Sequence, residues 1–128
     1  MELVAIVIAL AVVQYFYLLM KTGMTRGRTG VPAPAMTGNP EFDRQFRVQY
    51  NTIEQLVIFY PAILLFAHYV HAPVAAGLGL VFILGRGLYA RAYRLEPAKR
   101  GPGFGLTLLA NGVLLAGGLV GAIVAYVC

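Results

Sequence analysis

Four long apolar stretches separated by short polar segments dominate the hydrophobic pattern of this 128-residue chain. The first stretch, Leu3 to Leu19, contains Gln14 as its one strongly polar residue. As a helix it reaches about 26 Å, close to the thickness of the hydrocarbon core of a bilayer. The pattern predicts an all-α membrane protein with four transmembrane helices in a single integral membrane domain over 1–128. The helices are expected at about 3–20, 40–70, 73–93 and 104–127.

The segments between these stretches predict how the helices connect. Thr22 to Asn39 is rich in glycine and proline and is expected to be a loop. Asn39 and Pro40 have the residue types of an N-cap and first position for helix two. The short His71–Pro73 connection makes helices two and three an antiparallel hairpin. Arg94 to Gly105 forms a second basic loop, so the chain is expected to be an up-down bundle.

Composition and charge support membrane insertion. The chain is 59% hydrophobic and 12% charged with a mean hydropathy of +0.74, whereas soluble domains average roughly 25% charged residues. The net charge of +5 comes from basic residues that flank the apolar spans, so it indicates topology and no nucleic-acid partner. By the positive-inside rule, loops 21–43 and 94–104 are cytoplasmic and both termini lie on the opposite side.

Cysteine and histidine offer little chemistry. The single cysteine, Cys128, excludes an intramolecular disulfide. His68 and His71 have no third ligand nearby, so no metal site is expected.

Polar residues recur at helical spacing at the cytoplasmic ends of helices two and three. Arg44, Arg47, Asn51 and Glu54 stand at i, i+3, i+7 and i+10, which places them on one helix face. Helix three carries the following set at the same depth: Arg86, Tyr89 and Tyr93. A carboxylate at membrane depth costs about 2.5–3.5 kcal/mol, so Glu54 marks a candidate functional site. Two polar faces at one depth predict a shared cavity open to the cytoplasm.

The chemistry of this predicted cavity suits an anionic amphiphile. Arginine binds carboxylates in a bidentate manner, and a glutamate can hold an ammonium group, so a ligand with two carboxylates and one amine fits. The apolar belt around it offers a second place for a lipid-soluble molecule. A purely structural role stays open, because arginines and tyrosines near helix ends often only reach the interface, and Glu54 with Arg47 makes a plausible structural pair.

Two motifs in the right order resemble one known family. The run Arg47-Val-Gln49-Tyr-Asn51-Thr-Ile-Glu54, preceded by Asn39-Pro-Glu-Phe-Asp-Arg44, resembles the helix-two motif of the MAPEG family, the membrane-associated proteins in eicosanoid and glutathione metabolism. The run from Gly77 to Tyr93, followed by Glu96-Pro-Ala-Lys99-Arg100, is most similar to the type-three microsomal glutathione transferases of that family. Similarity to its leukotriene C synthase branch is also clear.

The resemblance implies a homotrimer that binds glutathione, its co-substrate, between neighbouring protomers. By position, the residues that match the family's glutathione contacts are Arg47, Asn51, Glu54, Tyr89 and Tyr93, and Gln49 is included in the predicted set because it lies within that run. Arg86 joins this predicted glutathione-binding set because it shares the helix-three face. Arg26 and Arg100 are the expected catalytic residues, and Arg100 matches the arginine that holds the glutathione thiol as a thiolate. Gln55 departs from the leukotriene C synthase branch, which has a glutathione-contacting tyrosine there, and Pro61 lies later in helix two than that branch's proline.

Three functions are compatible with these residues. The first is a glutathione transferase or peroxidase acting on lipophilic electrophiles or lipid hydroperoxides that enter from the bilayer. The second is a non-catalytic lipid-binding module of the same family, which lacks the full glutathione set that this chain has. The third is a small multidrug transporter, whose membrane carboxylate is expected near the midplane and away from arginines, unlike Glu54.

Overall fold

The bundle is entirely helical and has no β-strand. The computed structural model describes all 128 residues as four long helices: α1 (Glu2–Thr29), α2 (Pro40–Tyr69), α3 (Ala72–Leu95) and α4 (Gly101–Val127), with a short 3₁₀ turn at Pro97–Lys99. Each long helix has the length and composition to cross a membrane. The expectation of an all-α protein with four transmembrane helices is therefore confirmed, and the chain is an integral multi-pass membrane protein.

The two central helices of the bundle are α2 and α3. Each packs against the other three long helices, so α1 and α4 lie on opposite flanks of the central pair. Phe59 of α2 stacks on Phe82 of α3 with ring centroids 4.1 Å apart. Only 32 of the 128 residues are buried, because most large apolar side chains of α1 and α4 point outward, where lipid or a neighbouring chain replaces a protein core.

Helix α1 extends well beyond its predicted end near residue 20. The expectation of a loop from Thr22 was wrong, because the segment Thr22–Thr29 is helical and the loop begins only after it. Gly23 and Gly27 suggested a break, but each costs a helix only about 1 kcal/mol. They lie on an exposed face, while Thr22 and Thr25 are buried on the opposite face. The helix ends at Gly30, whose φ of 76° gives the left-handed C-cap that glycine adopts readily.

The other helix ends agree more closely with the sequence. Asn39 caps α2 as predicted, because its Oδ1 accepts hydrogen bonds from the backbone N–H groups of Glu41 and Phe42. Helix α4 begins at Gly101, three residues before the predicted Phe104, because Pro102 is tolerated in a first helical turn. The predicted interhelical bond of Asn111 is also present: its Nδ2 donates to the backbone oxygen and to Oε1 of Gln55.

The start of α4 packs closely on α3 at Gly103. A Cβ added to Gly103 would lie 2.7 Å from the Cα of Tyr89 and 2.8 Å from the carbonyl oxygen of Gly85. Both are backbone atoms of α3 and cannot rotate away. The missing side chain of Gly103 therefore lets the start of α4 lie directly on α3, which brings the connection between them beside Tyr89.

Candidate functional site: a basic cavity at one end of the bundle

A cavity of about 680 Å³ opens at the end of the bundle where α2 begins and α3 ends. Helix α2 contributes Arg47 and Asn51 to its wall, and α3 contributes Tyr89 and Tyr93. The α3–α4 connection and the start of α4 complete the wall with Ala98, Arg100, Gly101 and Phe104. Five of the nine predicted site residues thus line one cavity.

The two tyrosines and Arg100 form a compact group in this cavity. The rings of Tyr89 and Tyr93 lie 5.6 Å apart, and the guanidinium carbon of Arg100 lies 5.9 Å from the Tyr93 ring centroid. Nη1 of Arg100 donates to the backbone oxygen of Pro97 at 2.9 Å, which leaves other guanidinium N–H groups for a ligand. The cavity therefore presents two permanent cations, from Arg47 and Arg100, together with two phenols and one amide.

Arg86 does not line the cavity, so its predicted direct contact with glutathione is not supported by its position. Its side chain is fully buried between the helices. Its Nη1 donates to Oδ1 of Asn51 at 2.7 Å, its Nε donates to Oγ1 of Thr107 at 3.0 Å, and its guanidinium lies 4.3 Å from the Tyr89 ring centroid. Arg86 therefore supports two cavity residues, Asn51 and Tyr89, from behind.

Three further predicted residues lie away from the cavity of their own protomer. Nε2 of Gln49 donates to the hydroxyl oxygen of Tyr15 at 3.3 Å, on the side of α2 that faces α1. Nη1 of Arg26 donates to the backbone oxygens of Pro32 and Ala35, so this arginine braces the α1–α2 loop. Glu54 is exposed and has neither a hydrogen bond nor an ion pair within the chain. A single protomer therefore does not bring all nine residues together.

Gln55, the departure noted in the sequence, has a structural role. Its side chain is buried against α4, where Oε1 accepts the hydrogen bond from Asn111 at 3.1 Å. It does not line the cavity. The structure thus places this position between helices α2 and α4.

A second cavity adjoins the first and extends the polar surface toward the α1–α2 loop. It measures about 480 Å³ and shares Arg47 and Tyr93 with the first cavity. Its remaining lining residues are Met36, Thr37, Asp43, Arg44, Phe46 and Tyr50. Among these, the helical spacing identified Arg44, whereas the loop residues carried no sequence signal. Phe104 of the first cavity also carries no functional signal in the sequence, because the hydrophobic pattern identifies it only as the start of α4.

Apolar surface suited to a lipophilic molecule lies between α1 and α2. Two grooves of about 210 and 370 Å³ are lined only by hydrophobic side chains and share Ile8 and Tyr60. Tyr15, which holds Gln49, lines the first groove. In contrast, the chain has no group of three histidine, cysteine or acidic side chains that could hold a metal ion.

Comparison with known proteins identifies the family. The model of the MAPEG family matches residues 4–120. An uncharacterised protein of Synechocystis is 46% identical over 116 residues, which cover 91% of this chain and 85% of that protein. Human microsomal glutathione S-transferase 2 is 39% identical over 121 residues, covering 94% of this chain and 80% of the human protein.

A third relative agrees with the second branch noted in the sequence. Bovine leukotriene C4 synthase is 31% identical over 98 residues, covering 77% of this chain and 65% of that enzyme. The sequence motifs are most similar to the type-three transferases, whereas the similar human, bovine and mouse transferases carry the type-two name. The family match spans most of the chain, and this protein belongs to the MAPEG family.

Proposed function

We propose that the protein is a glutathione-dependent membrane transferase that acts on lipophilic electrophiles entering from the bilayer. The observation that carries this proposal is the 680 Å³ cavity lined by Arg47, Asn51, Tyr89, Tyr93 and Arg100. All five are positions that the family resemblance assigns to glutathione. The printed names of the human and bovine relatives, a glutathione S-transferase and a leukotriene C4 synthase, support the same activity.

In the proposed reaction, Arg47 and Asn51 bind the carboxylates and amides of the tripeptide, and Tyr89 and Tyr93 donate hydrogen bonds from their hydroxyl groups. Arg100 lies beside the sulfur and stabilises the thiolate. A free thiol of pKa about 8.5 is only a few per cent ionised at pH 7, and the thiolate is the nucleophile. The thiolate then attacks the electrophile at the apolar edge of the cavity, and a carbon–sulfur bond forms as the leaving group departs or the epoxide ring opens. With a lipid hydroperoxide, the thiolate attacks the terminal peroxide oxygen, the O–O bond breaks to release the lipid alcohol, and the glutathione sulfenic acid reacts with a second glutathione to give the disulfide and water.

The proposal includes a homotrimer, because a single protomer does not explain four observations. Glu54 has no partner although it lies on a membrane-crossing helix, and Gln49 and Arg26 point away from their own cavity. Arg47 is also exposed at the cavity edge. A neighbouring copy that covers this edge supplies the missing walls, so the complete site lies between protomers.

The proposal also fixes the orientation in the membrane. All ten lysines and arginines lie in the halves of the helices, or in the loops, at the cavity end of the bundle. By the positive-inside rule, the segments 21–43 and 94–104, which include the helix ends beside the two connections, and the cavity are cytoplasmic, and both termini are on the other side. Glutathione then enters from the cytoplasm and the electrophile from the lipid.

The decisive experiment combines binding and turnover. Glutathione binding to the detergent-solubilised protein is measured by calorimetry for the wild type, Arg47→Gln and the matched control Arg91→Gln, which removes an exposed arginine of α3 outside every cavity described above. Conjugation is assayed with an aryl halide, a lipid hydroperoxide and a leukotriene epoxide. We expect binding by the wild type and the control, weaker binding by Arg47→Gln, and turnover of at least one substrate.

The second candidate, a non-catalytic lipid-binding module, is favoured by the two wholly apolar grooves between α1 and α2. It predicts no heat of glutathione binding and no turnover. Tight binding of a lipophilic ligand without glutathione binding would establish this alternative and overturn the transferase.

A further inference from the structure

A third polar cavity lies at the same end of the bundle, separate from the proposed glutathione cavity. It measures about 480 Å³ and lies where the end of α1, the start of α2 and the end of α3 meet. Its lining residues are Lys21, Thr25, Arg28, Pro40, Glu41, Arg44, Gln45, Arg94 and Leu95. None of these lines the 680 Å³ cavity. We call this third cavity the basic cleft.

The basic cleft has more positive charge than its own residues neutralise. Of its four cations, Arg28 is paired with Glu41 through two hydrogen bonds. Lys21, Arg44 and Arg94 have no acidic partner anywhere in the chain. Lys21 and Arg94 are half-buried, so water screens their charges less than it screens those of fully exposed side chains. Three cations around one concave surface attract an anion.

A buried amide on the wall of the cleft also has no partner. Gln45 is only 3% exposed, and its Nε2 makes no hydrogen bond. A buried N–H group without an acceptor destabilises the fold, so a ligand that supplies an acceptor stabilises this side chain. The backbone N–H groups at the start of α2 are already capped by Asn39, so the donors left for a ligand are the side chains.

We propose that the basic cleft binds a phosphate group carried by an anionic molecule at the membrane surface. A phosphate offers several acceptor oxygens to Lys21, Arg94 and Gln45 at once, and guanidinium groups bind it in a bidentate manner. The surroundings favour a phospholipid headgroup over free phosphate as the source. Tyr17, one turn from Lys21 on the side of the membrane core, is 54% exposed, and its ring centroid lies 6.0 Å from Nζ of Lys21. This ring lies on the side of the cleft from which the acyl chains of a bound lipid would run into the bilayer.

The test measures lipid binding and therefore stands or falls independently of the glutathione reaction. Native mass spectrometry of the full chain in detergent compares adducts of phosphatidylglycerol, which is anionic, with those of phosphatidylcholine, which is zwitterionic. The variant Lys21→Gln/Arg94→Gln removes two cations of the cleft. The matched control Arg91→Gln/Lys99→Gln removes the same charge from the same end of the bundle, outside the cleft.

We expect the wild type and the control to retain phosphatidylglycerol, and the cleft variant to bind it roughly 30-fold more weakly, because each basic residue near the membrane surface contributes about fivefold. A second arm measures inorganic phosphate by calorimetry. If only inorganic phosphate binding depends on Lys21 and Arg94, the phosphate site stands and its ligand is soluble. Equal losses in both double variants, or no loss in either, would overturn the proposal.

A third variant tests the cleft even if the double variant Lys21→Gln/Arg94→Gln does not fold. Gln45→Leu breaks no hydrogen bond within the chain, since Nε2 has no partner, so thermal stability is expected to stay equal or rise. Phosphate or phosphatidylglycerol binding is nevertheless expected to fall several-fold. Unchanged binding in a stable Gln45→Leu protein would contradict the assignment of this amide to the site.

Discussion

At the scale of single residues, Arg100 is the clearest test of chemistry. If it stabilises the thiolate, Arg100→Ala raises the pKa of the bound glutathione thiol from about 6.5 to about 8.5, which corresponds to about 2.7 kcal/mol and lowers the thiolate fraction at pH 7, and with it kcat, about 25-fold. The Michaelis constant for glutathione is expected to change less than threefold. Steady-state kinetics measure kcat and the Michaelis constant, and the thiolate absorbance of bound glutathione measures the thiol pKa. Arg100→Lys keeps the charge and restores part of kcat, whereas equal losses of turnover and affinity would make Arg100 a binding residue only.

Arg86 gives a second residue-scale prediction, because it acts through Asn51 and Tyr89. Arg86→Met removes the charge but leaves few orphaned partners: Thr52 still donates to the backbone of Val48, and Thr107 to that of Gly103. The fold is therefore expected to survive, while glutathione affinity falls about tenfold because Asn51 loses its 2.7 Å hydrogen bond. Calorimetry and thermal denaturation on the same sample separate the two effects. An unchanged glutathione affinity in Arg86→Met would show that Arg86 contributes only to helix packing.

Helical spacing predicted which residues share a face, but not how deep each one lies in the bundle. Arg86, Tyr89 and Tyr93 do lie on one side of α3, yet only the two tyrosines reach the cavity, because Thr107 of α4 encloses the arginine. That enclosure depends on the packing of a helix 21 residues away in sequence. Periodicity within α3 contains no information about it.

At the scale of helices, the contact between α3 and α4 depends on Gly103. Gly103→Ala is expected to lower stability by about 1–3 kcal/mol, because the added Cβ meets backbone atoms of Tyr89 and Gly85 that cannot rotate away. It also moves the α3–α4 connection and so reduces turnover. The matched control is Gly105→Ala on the same helix, where no atom lies within 4 Å of the added Cβ and stability stays equal or rises. Thermal denaturation in detergent distinguishes the two; similar melting temperatures would contradict the packing argument.

Hydrophobic runs predicted the four helices because lipid-facing and buried positions are both apolar, so each span stands out from the polar connections. They predicted the end of α1 poorly. Beyond Lys21 the helix leaves the apolar span, and its polar threonines replace hydrophobic side chains on the buried face. Thr25 and Thr29 satisfy their hydroxyl groups on carbonyls one turn earlier, which keeps them compatible with a helix. The glycines alone therefore gave a misleading signal.

At the scale of the whole molecule, the proposed trimer predicts a mass three times the 13.8 kDa of one protomer. Native mass spectrometry in mild detergent measures this directly. Glutathione binding is expected to disappear in conditions that release protomers, because Glu54, Gln49 and Arg26 cannot reach their own cavity. A monomer that binds glutathione as tightly as the assembly would contradict a site shared between protomers.

The orientation of the molecule gives a separate prediction. Because all basic residues lie at one end of the bundle, a reporter fused after Cys128 is expected on the side opposite to the cytoplasm. A second reporter inserted in the α1–α2 loop, for example after Met36, provides the internal control and is expected in the cytoplasm. A cytoplasmic signal from the C-terminal fusion would overturn this topology.

The connection from Glu96 to Arg100 lies outside both helices that flank it and is held by a single 3₁₀ turn. It nevertheless contributes Arg100 and Ala98 to the wall of the proposed glutathione cavity. This five-residue connection can therefore be exchanged for the equivalent segment of another family member without altering either flanking helix. Such grafts would vary reactivity toward electrophiles while the membrane-embedded scaffold keeps its own assembly and yield.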